Sequence, residues 1–187
     1  MVLDTIEGVA AGTLLRGELA SDFIPARPLD IWLPSSYDGT QKHNVLYMYD
    51  AQMLFDATTT WNGQEWRVDE ILDSLIIDDV ITPTIVVALY NGGQRRNFEY
   101  FPQKPAAQLQ AAFSDSVLSE ISKRYGSDSS FSVNSDNYLR YMVEEVKSFV
   151  DGHFTVHTST ASTAIMGSSM GGLMSMYAVG EYPNIFG

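Results

Sequence analysis

The residues best suited to chemistry lie at positions 167–172, where the sequence reads GSSMGG and Ser169 is the centre of a G-x-S-x-G pattern. A serine at a sharp turn between a strand and a helix has a strained backbone, and side chains two positions away would collide across the turn. Gly167 and Gly171 remove that collision. The pattern predicts a nucleophile elbow that exposes the Ser169 hydroxyl. The N–H of Met170, at the start of the following helix, is then one donor to a developing oxyanion.

The elements that must position this motif alternate between strand-like and helix-like patterns. Short apolar runs predict strands at 14–19, 29–33, 44–49, 85–89 and 164–166. Amphipathic spacing predicts helices at 66–75, 138–149 and 173–179, and Asp136 and Asn137 are N-cap candidates for the second of these. This order predicts one α/β domain over residues 1–187, with a mostly parallel sheet and helices on both faces.

One stretch, 103–135, departs from this alternation. It is polar and rich in Ala, Gln and Ser. We interpret it as an excursion over the carboxyl edge of the sheet that contains a helix around 109–125. No internal repeat and no long linker divides the chain into two domains.

Several further motifs occur in a familiar order. The sequence reads YDAQMLFD at 49–56, WRVD at 66–69, RNFEYFP at 96–102, AIMGSSMGGL at 164–173 and PNIFG at 183–187. In these motifs the chain resembles the putative-esterase family of α/β-hydrolases, which includes enterochelin esterases, esterase D and the feruloyl and acetyl-xylan esterases. The resemblance extends from about residue 14 to the last residue.

This resemblance implies an α/β-hydrolase fold and a serine carboxylic-ester hydrolase that forms an acyl-enzyme on Ser169. It also implies a second oxyanion donor, a backbone N–H directly after the strand at 44–49, which points to Gln52 or to Met53. Ala51 stands where glycine is usual in the family, and it restricts this turn. The expected partner is a small-molecule ester, with siderophore esters, feruloyl or acetyl sugars and thioesters all left open. No cofactor is expected.

The motif at 96–102 supplies two charged candidates. We predict that Arg96 and Glu99 pair with each other and fix a loop near the site; the alternative is that they bind an anionic group of the substrate. Four aromatic residues are candidates for lining an acyl or aromatic pocket, and core packing is the alternative for them: Trp61, Trp66, Phe98 and Tyr100.

The partners that a catalytic serine requires are not found after Ser169. The hydroxyl needs a base and the base needs a carboxylate, which in α/β-hydrolases follow in the order Ser, Asp or Glu, His. After Ser169 the sequence has one acidic residue, Glu181, and no histidine. We expect the three histidines to lie at the amino edge of the sheet, far from Ser169: His43, His153 and His157.

We therefore expect the triad acid and base beyond Gly187, with C-terminal strands of the fold missing from this chain. Without a base the Ser169 hydroxyl is a weak nucleophile, so the 187-residue chain alone is expected to have negligible esterase activity. The alternative is a non-catalytic binding or scaffold relative that kept the elbow and lacks a complete triad.

Composition excludes several other classes of function. The chain has 11 basic and 23 acidic residues and a formal net charge of −12, which argues against binding to nucleic acid or to anionic membranes. With 45% hydrophobic residues there is material for a packed core, so disorder is excluded. The absence of cysteine excludes disulfides, thiolate zinc sites and a cysteine nucleophile.

The remaining signals are interpreted as structural. Five aspartates lack the spacing of a calcium-binding loop, so we interpret them as solvated acidic surface and expect no metal: Asp50, Asp56, Asp69, Asp78 and Asp79. The pair Gly92-Gly93 lacks the pattern of a phosphate loop. No targeting segment is visible, so we expect a soluble, cytoplasmic protein; a secreted form whose signal has been removed would look the same.

Overall fold

The computed structural model describes residues 1–112, 119–120 and 133–187. In these residues the strands form one sheet in the order β1-β2-β3-β5-β4-β6. The strands are β1 (Asp4–Ile6), β2 (Thr13–Leu19), β3 (Arg27–Leu33), β4 (Asn44–Tyr49), β5 (Thr84–Leu89) and β6 (Thr163–Met166). All five predicted strands are present, and β1 is an addition.

The sheet is mixed. The parallel pairs are β4 with β5 and β4 with β6, whereas β1–β2, β2–β3 and β3–β5 are antiparallel. The predicted parallel pairing thus applies to the half of the sheet that carries the motifs. The physical reason is connectivity: a parallel pair needs a long crossover, and such crossovers with helices begin only after β4.

Helices cover both faces of the sheet, as predicted. On one face α1 (Val68–Ile77) packs through Val68 and Ile76 against Trp32, Val86 and Ala88. The other face is covered by α4 (Ser135–Arg140), a π-helical segment (Tyr141–Val146), α5 (Lys147–His153) and α6 (Met170–Glu181). The central strand β5 is buried on both faces, which explains its uninterrupted apolar sequence.

The predicted helices appear with shifted bounds. The helix predicted at 138–149 begins at Ser135, so Asp136 and Asn137 lie in its first turn and Asn134 precedes it. Two further helices follow β5, α2 (Arg96–Tyr100) and α3 (Gln103–Ala112). Most of the predicted helix at 109–125 lies outside the described residues. Within the described ranges, no helix has the length and apolar character needed to cross a membrane.

Candidate active site

Ser169 occupies the turn between β6 and α6 and has a strained backbone, with φ 55° and ψ −118°. This conformation is rare for any residue other than glycine. A Cβ at Gly167 would lie 2.6 Å from the carbonyl carbon of Gly171, which leaves no space for a side chain. The strand–turn–helix arrangement that the G-x-S-x-G pattern predicts is therefore present, with glycine where the turn requires it.

A cleft of about 600 Å³ opens at this turn, at the edge where β4, β5 and β6 end. Ser168 and Ser169 form part of its wall. The rest of the lining comes from the segments that follow β4 and β5: Asp50, Gln52, Met53, Thr59, Trp61, Asn62, Trp66, Asn91 and Arg96. The cleft thus brings together several motifs that lie far apart in the sequence.

The 3-10 turn Ala51–Met53, directly after β4, contains the two amides considered as the second oxyanion donor. The Met53 N–H donates to the Asp50 carbonyl at 2.8 Å, so that amide is already engaged. The Gln52 N–H has no backbone acceptor in the described part of the chain. Met170 is the first residue of α6, where an N–H has no acceptor within the helix. Of the candidate donors, the Gln52 and Met170 amides are therefore without a backbone acceptor in the described residues.

Asp50 is the buried charge of the site. Its side chain accepts two hydrogen bonds from Arg96, Nε to Oδ1 and Nη2 to Oδ2, each 2.7 Å long, and a third from Asn91 Nδ2 at 2.7 Å. Asp50 is 3% exposed and has a left-handed backbone with φ 62°. Hydrogen bonding to Asp50 raises the pKa of Arg96 above its ordinary value, and burial partly opposes that shift.

The interpretation of the aspartates as solvated surface is wrong for Asp50 and for Asp69. Asp69 is 1% exposed and accepts hydrogen bonds from the Ala10 and Ala11 amides. Burial is the main cause that raises the pKa of Asp69. Both aspartates look like surface residues in the sequence because their partners lie far along the chain. A signal for Asp50 existed: it directly follows a continuously apolar strand, and Asn91 lies just beyond the neighbouring one.

The predicted pair between Arg96 and Glu99 is wrong. Glu99 is 2% exposed and pairs instead with Arg27 of β3, through two contacts of 2.8 Å, and it also accepts the Gly92 N–H at 2.9 Å. Arg96 starts the short helix α2 and turns toward Asp50, whereas Glu99 turns inward toward β3. Glu99 does not line the cleft, so its predicted contact with substrate is not supported by its position.

Two of the four aromatic candidates line the cleft. Trp61 is 87% exposed at its surface, and Trp66 is partly buried against the core beside α1. Tyr100 is fully buried and packs against the rings of Tyr49 and Tyr138. Phe98 lies outside the cleft lining.

The three histidines lie at the other edge of the sheet, as expected. His43 precedes β4 and forms a bridge with Val156, and its carbonyl accepts the N–H of His157. His153 ends α5 and its ring stacks on Phe149 at 4.1 Å. The six residues of β4 separate His43 from the cleft by roughly 20 Å, at about 3.3 Å per residue. None of these histidines is positioned to act as a base for Ser169.

The fold agrees with those of solved esterases. A CE1 ferulic acid esterase from Anaeromyces mucronatus superposes with a TM-score of 0.62 at 17% identity, over 97% of this chain and 59% of that one. The ferric enterobactin esterase of Salmonella typhimurium gives 0.64 at 16% identity, over 97% of this chain and 36% of that one. These likenesses show that the fold is that of the α/β-hydrolases.

A sequence relative is the protein YbbA of Bacillus subtilis (strain 168), described as uncharacterized, which is 24% identical over 174 residues. The match covers 92% of this chain and 58% of YbbA, so the chain spans a little over half the length of YbbA and of the ferulic acid esterase. The model of the family described as "Putative esterase" matches residues 25–187. With the elbow, the cleft and this match together, the chain belongs to the putative esterase family.

Proposed function

We propose that this protein is a serine carboxylic-ester hydrolase that acts through an acyl-enzyme on Ser169. Its Oγ attacks the carbonyl carbon of the ester, and its proton passes to a base. The amides of Met170 and Gln52 stabilise the negative charge on the carbonyl oxygen. The alcohol leaves with that proton, and water then cleaves the acyl-enzyme to release the acid and restore Ser169.

The observation that carries this proposal is the strained backbone of Ser169 beside a cleft, with φ 55° at the start of α6. Strain of this kind persists only where the surrounding structure enforces it, and it clusters at sites of chemistry. Membership of an esterase family supports the reaction class.

We place the base and its carboxylate in residues that follow Gly187 in the natural chain. The described residues hold no histidine near Ser169, since His43 and its neighbours lie at the opposite edge. The outer side of β6 and α6 also exposes apolar side chains that a further strand or helix would cover, with Met166 at 51% and Met176 at 75% exposure. The family order of Ser, then acid, then His agrees with this placement.

For the substrate we propose an ester with a planar aromatic group. Trp61 and Trp66 offer ring surfaces within the cleft, and an exposed tryptophan is well suited to stack against such a group. The charge of Arg96 is committed to Asp50, which disfavours recognition of an anion. One structural neighbour was solved as a ferulic acid esterase in complex with ferulic acid, an aromatic acid.

The test is hydrolysis of a short p-nitrophenyl ester by the chain extended with the residues that follow Gly187. Ser169→Ala is expected to lower kcat by at least about 1,000-fold. Ser175→Ala is the matched control, because Ser175 lies in the helix that follows Ser169 and its hydroxyl donates to the Gly171 carbonyl instead of lining the cleft. Equal activity in the parent and in Ser169→Ala would contradict the proposal.

A second candidate function is a binding protein without catalysis. It is favoured by the position of the three histidines, all away from the cleft in the described residues. Under this candidate the extended chain binds an aromatic ester through Trp61 and does not hydrolyse it. The same assay therefore separates the two candidates.

A further inference from the structure

Asp50 lies close to both segments of the predicted oxyanion hole. Its backbone carbonyl accepts the Met53 N–H at 2.8 Å and so closes the turn that presents Gln52. Its Oδ2 atom lies 3.4 Å from the position that a Cβ on Gly171 would occupy, at the start of α6. One buried carboxylate therefore lies between the two segments that supply the amide donors.

A carboxylate at this position presents an electrostatic problem. An oxyanion that forms at the amides of Gln52 and Met170 would be repelled by a negative charge only a few ångströms away. In a partly buried site, one uncancelled charge at such a distance is expected to slow the reaction by about 100-fold. The site works only if the charge of Asp50 is cancelled nearby.

Arg96 provides that cancellation with a fixed geometry. Two parallel hydrogen bonds of 2.7 Å join its guanidinium to the Asp50 carboxylate, and its Cζ lies 5.1 Å from the centre of the Tyr100 ring. Its side chain is 28% exposed, so the pair is only partly screened by water. Among the described residues, Arg96 and the phenol of Tyr100 are the charged or titratable groups that interact with Asp50.

Asn91 ties this pair to the neighbouring strand. Its Nδ2 donates to Asp50 Oδ1 at 2.7 Å, and its carbonyl accepts a bond of 3.4 Å from the Gln52 side-chain amide. Its Oδ1 accepts the Gly93 N–H at 2.8 Å, which holds the asparagine itself. The ends of β4 and β5 and the start of α2 are thus joined through one carboxylate.

We propose that the Arg96–Asp50 ion pair is a positioning device for the oxyanion hole: it holds the turn that presents the Gln52 amide and cancels the carboxylate charge beside Ser169. This inference rests on the proposed function. It gives Arg96 a role other than the predicted substrate binding, because the Nε and Nη2 atoms of Arg96 donate to Asp50.

The holding role is tested in the 187-residue chain by hydrogen–deuterium exchange of the Met53 amide, followed by NMR. Arg96→Gln is expected to speed this exchange by about tenfold, because the turn opens more often. Arg140→Gln is the control: it breaks an arginine–carboxylate pair with two contacts of 2.9 and 3.4 Å, and neither Arg140 nor Glu144 lines the cleft. Unchanged Met53 exchange in Arg96→Gln, or an equal rise in Arg140→Gln, would overturn the holding role.

The charge role is tested by kinetics in the chain extended beyond Gly187. Arg96→Gln is expected to lower kcat by about 100-fold and to change KM by less than about threefold. The kcat of Arg96→Lys is expected to lie between those of Arg96→Gln and the parent. The double variant Asp50→Asn/Arg96→Gln removes both charges. Its kcat is expected to be about tenfold higher than that of Arg96→Gln. A double variant no more active than Arg96→Gln would overturn the charge role.

Failure of this inference is distinguishable from failure of the proposed function. If Ser169→Ala is as active as the parent, the serine mechanism fails, whereas the Met53 exchange still reports on the turn. If Ser169 is essential and Arg96→Gln retains full kcat and normal exchange, the serine mechanism stands and the ion pair is only structural.

Discussion

The two edges of the sheet carry different chemistry. At the carboxyl edge, the ends of β4 and β6 bring Ser169, the Gln52 amide and a neutralised Asp50 around a cleft of about 600 Å³. At the amino edge, the histidines engage in local contacts: His43 Nδ1 lies 2.9 Å from the Gln41 carbonyl, and His153 Nδ1 lies 2.8 Å from that of Phe149. Within the described residues, Ser169 and the Gln52 amide share an edge that contains no histidine.

The largest effect is expected just beneath the carboxyl edge, at Glu99. Glu99→Gln leaves the buried Arg27 guanidinium without a charge partner, so the free energy of unfolding is expected to fall by about 3–5 kcal/mol. The free energy of unfolding of each variant is measured by urea denaturation. Arg140→Gln, which breaks a pair whose side chains are 46% and 47% exposed, is expected to cost less than about 1 kcal/mol. Equal losses in the two variants would mean that the buried pair does not support this edge.

The next effect concerns the elbow itself. Gly167→Ala places a Cβ within 2.6–2.9 Å of Gly171 backbone atoms, so a loss of about 2 kcal/mol in the free energy of unfolding is expected. Gly180→Ala, near the end of α6, is the control, because no atom lies within 4 Å of its Cβ position. That change is expected to stabilise by up to about 1 kcal/mol. If both variants lower the free energy of unfolding, or both raise it, the elbow is not crowded as described.

A smaller and more selective effect is expected at the mouth of the cleft. Trp61→Ala should lower kcat/KM for an aromatic ester by about five- to tenfold through lost stacking, and leave an acetyl ester unaffected. Because Trp61 is 87% exposed, the free energy of unfolding should stay within about 0.5 kcal/mol of the parent. Equal losses with both esters would argue against an aromatic site.

The smallest effect is expected at the amino edge. The double variant His153→Gln/His157→Gln is predicted to leave ester hydrolysis by the extended chain unchanged, because neither imidazole reaches Ser169. The measurement is kcat/KM with a short p-nitrophenyl ester. A loss of kcat/KM of tenfold or more would contradict the conclusion that the histidines of the amino edge take no part in the reaction.

The sequence predicted the central strands well and the peripheral ones less well. The strand at 44–49 has the same bounds in the structure, because burial on both faces produces a continuous apolar run. The three-residue β1 lacks such a run, since two of its residues are exposed, and it forms only by pairing with β2. The antiparallel pairing of β2 and β3 was not predicted for a similar reason, because pairing depends on contacts between segments rather than on local pattern.

The residues of the site show the same contrast between features that are encoded locally and features that depend on distant partners. The elbow is encoded within a few residues, so the composition of 167–172 predicted its geometry. The partners of the charged residues are not local: Arg96 lies 46 positions from Asp50, and Glu99 lies 72 from Arg27. We had expected Arg96 to pair with Glu99 instead, two residues that are close in sequence but face different ways.

The most direct test of the account is labelling by a fluorophosphonate probe, which reacts with an activated serine and is located by mass spectrometry of peptides. We predict that the chain extended beyond Gly187 is labelled on Ser169, and that the 187-residue chain is labelled far more slowly because its three histidines lie at the amino edge, away from Ser169. Labelling of both chains at the same rate, or on a residue other than Ser169, would contradict the account.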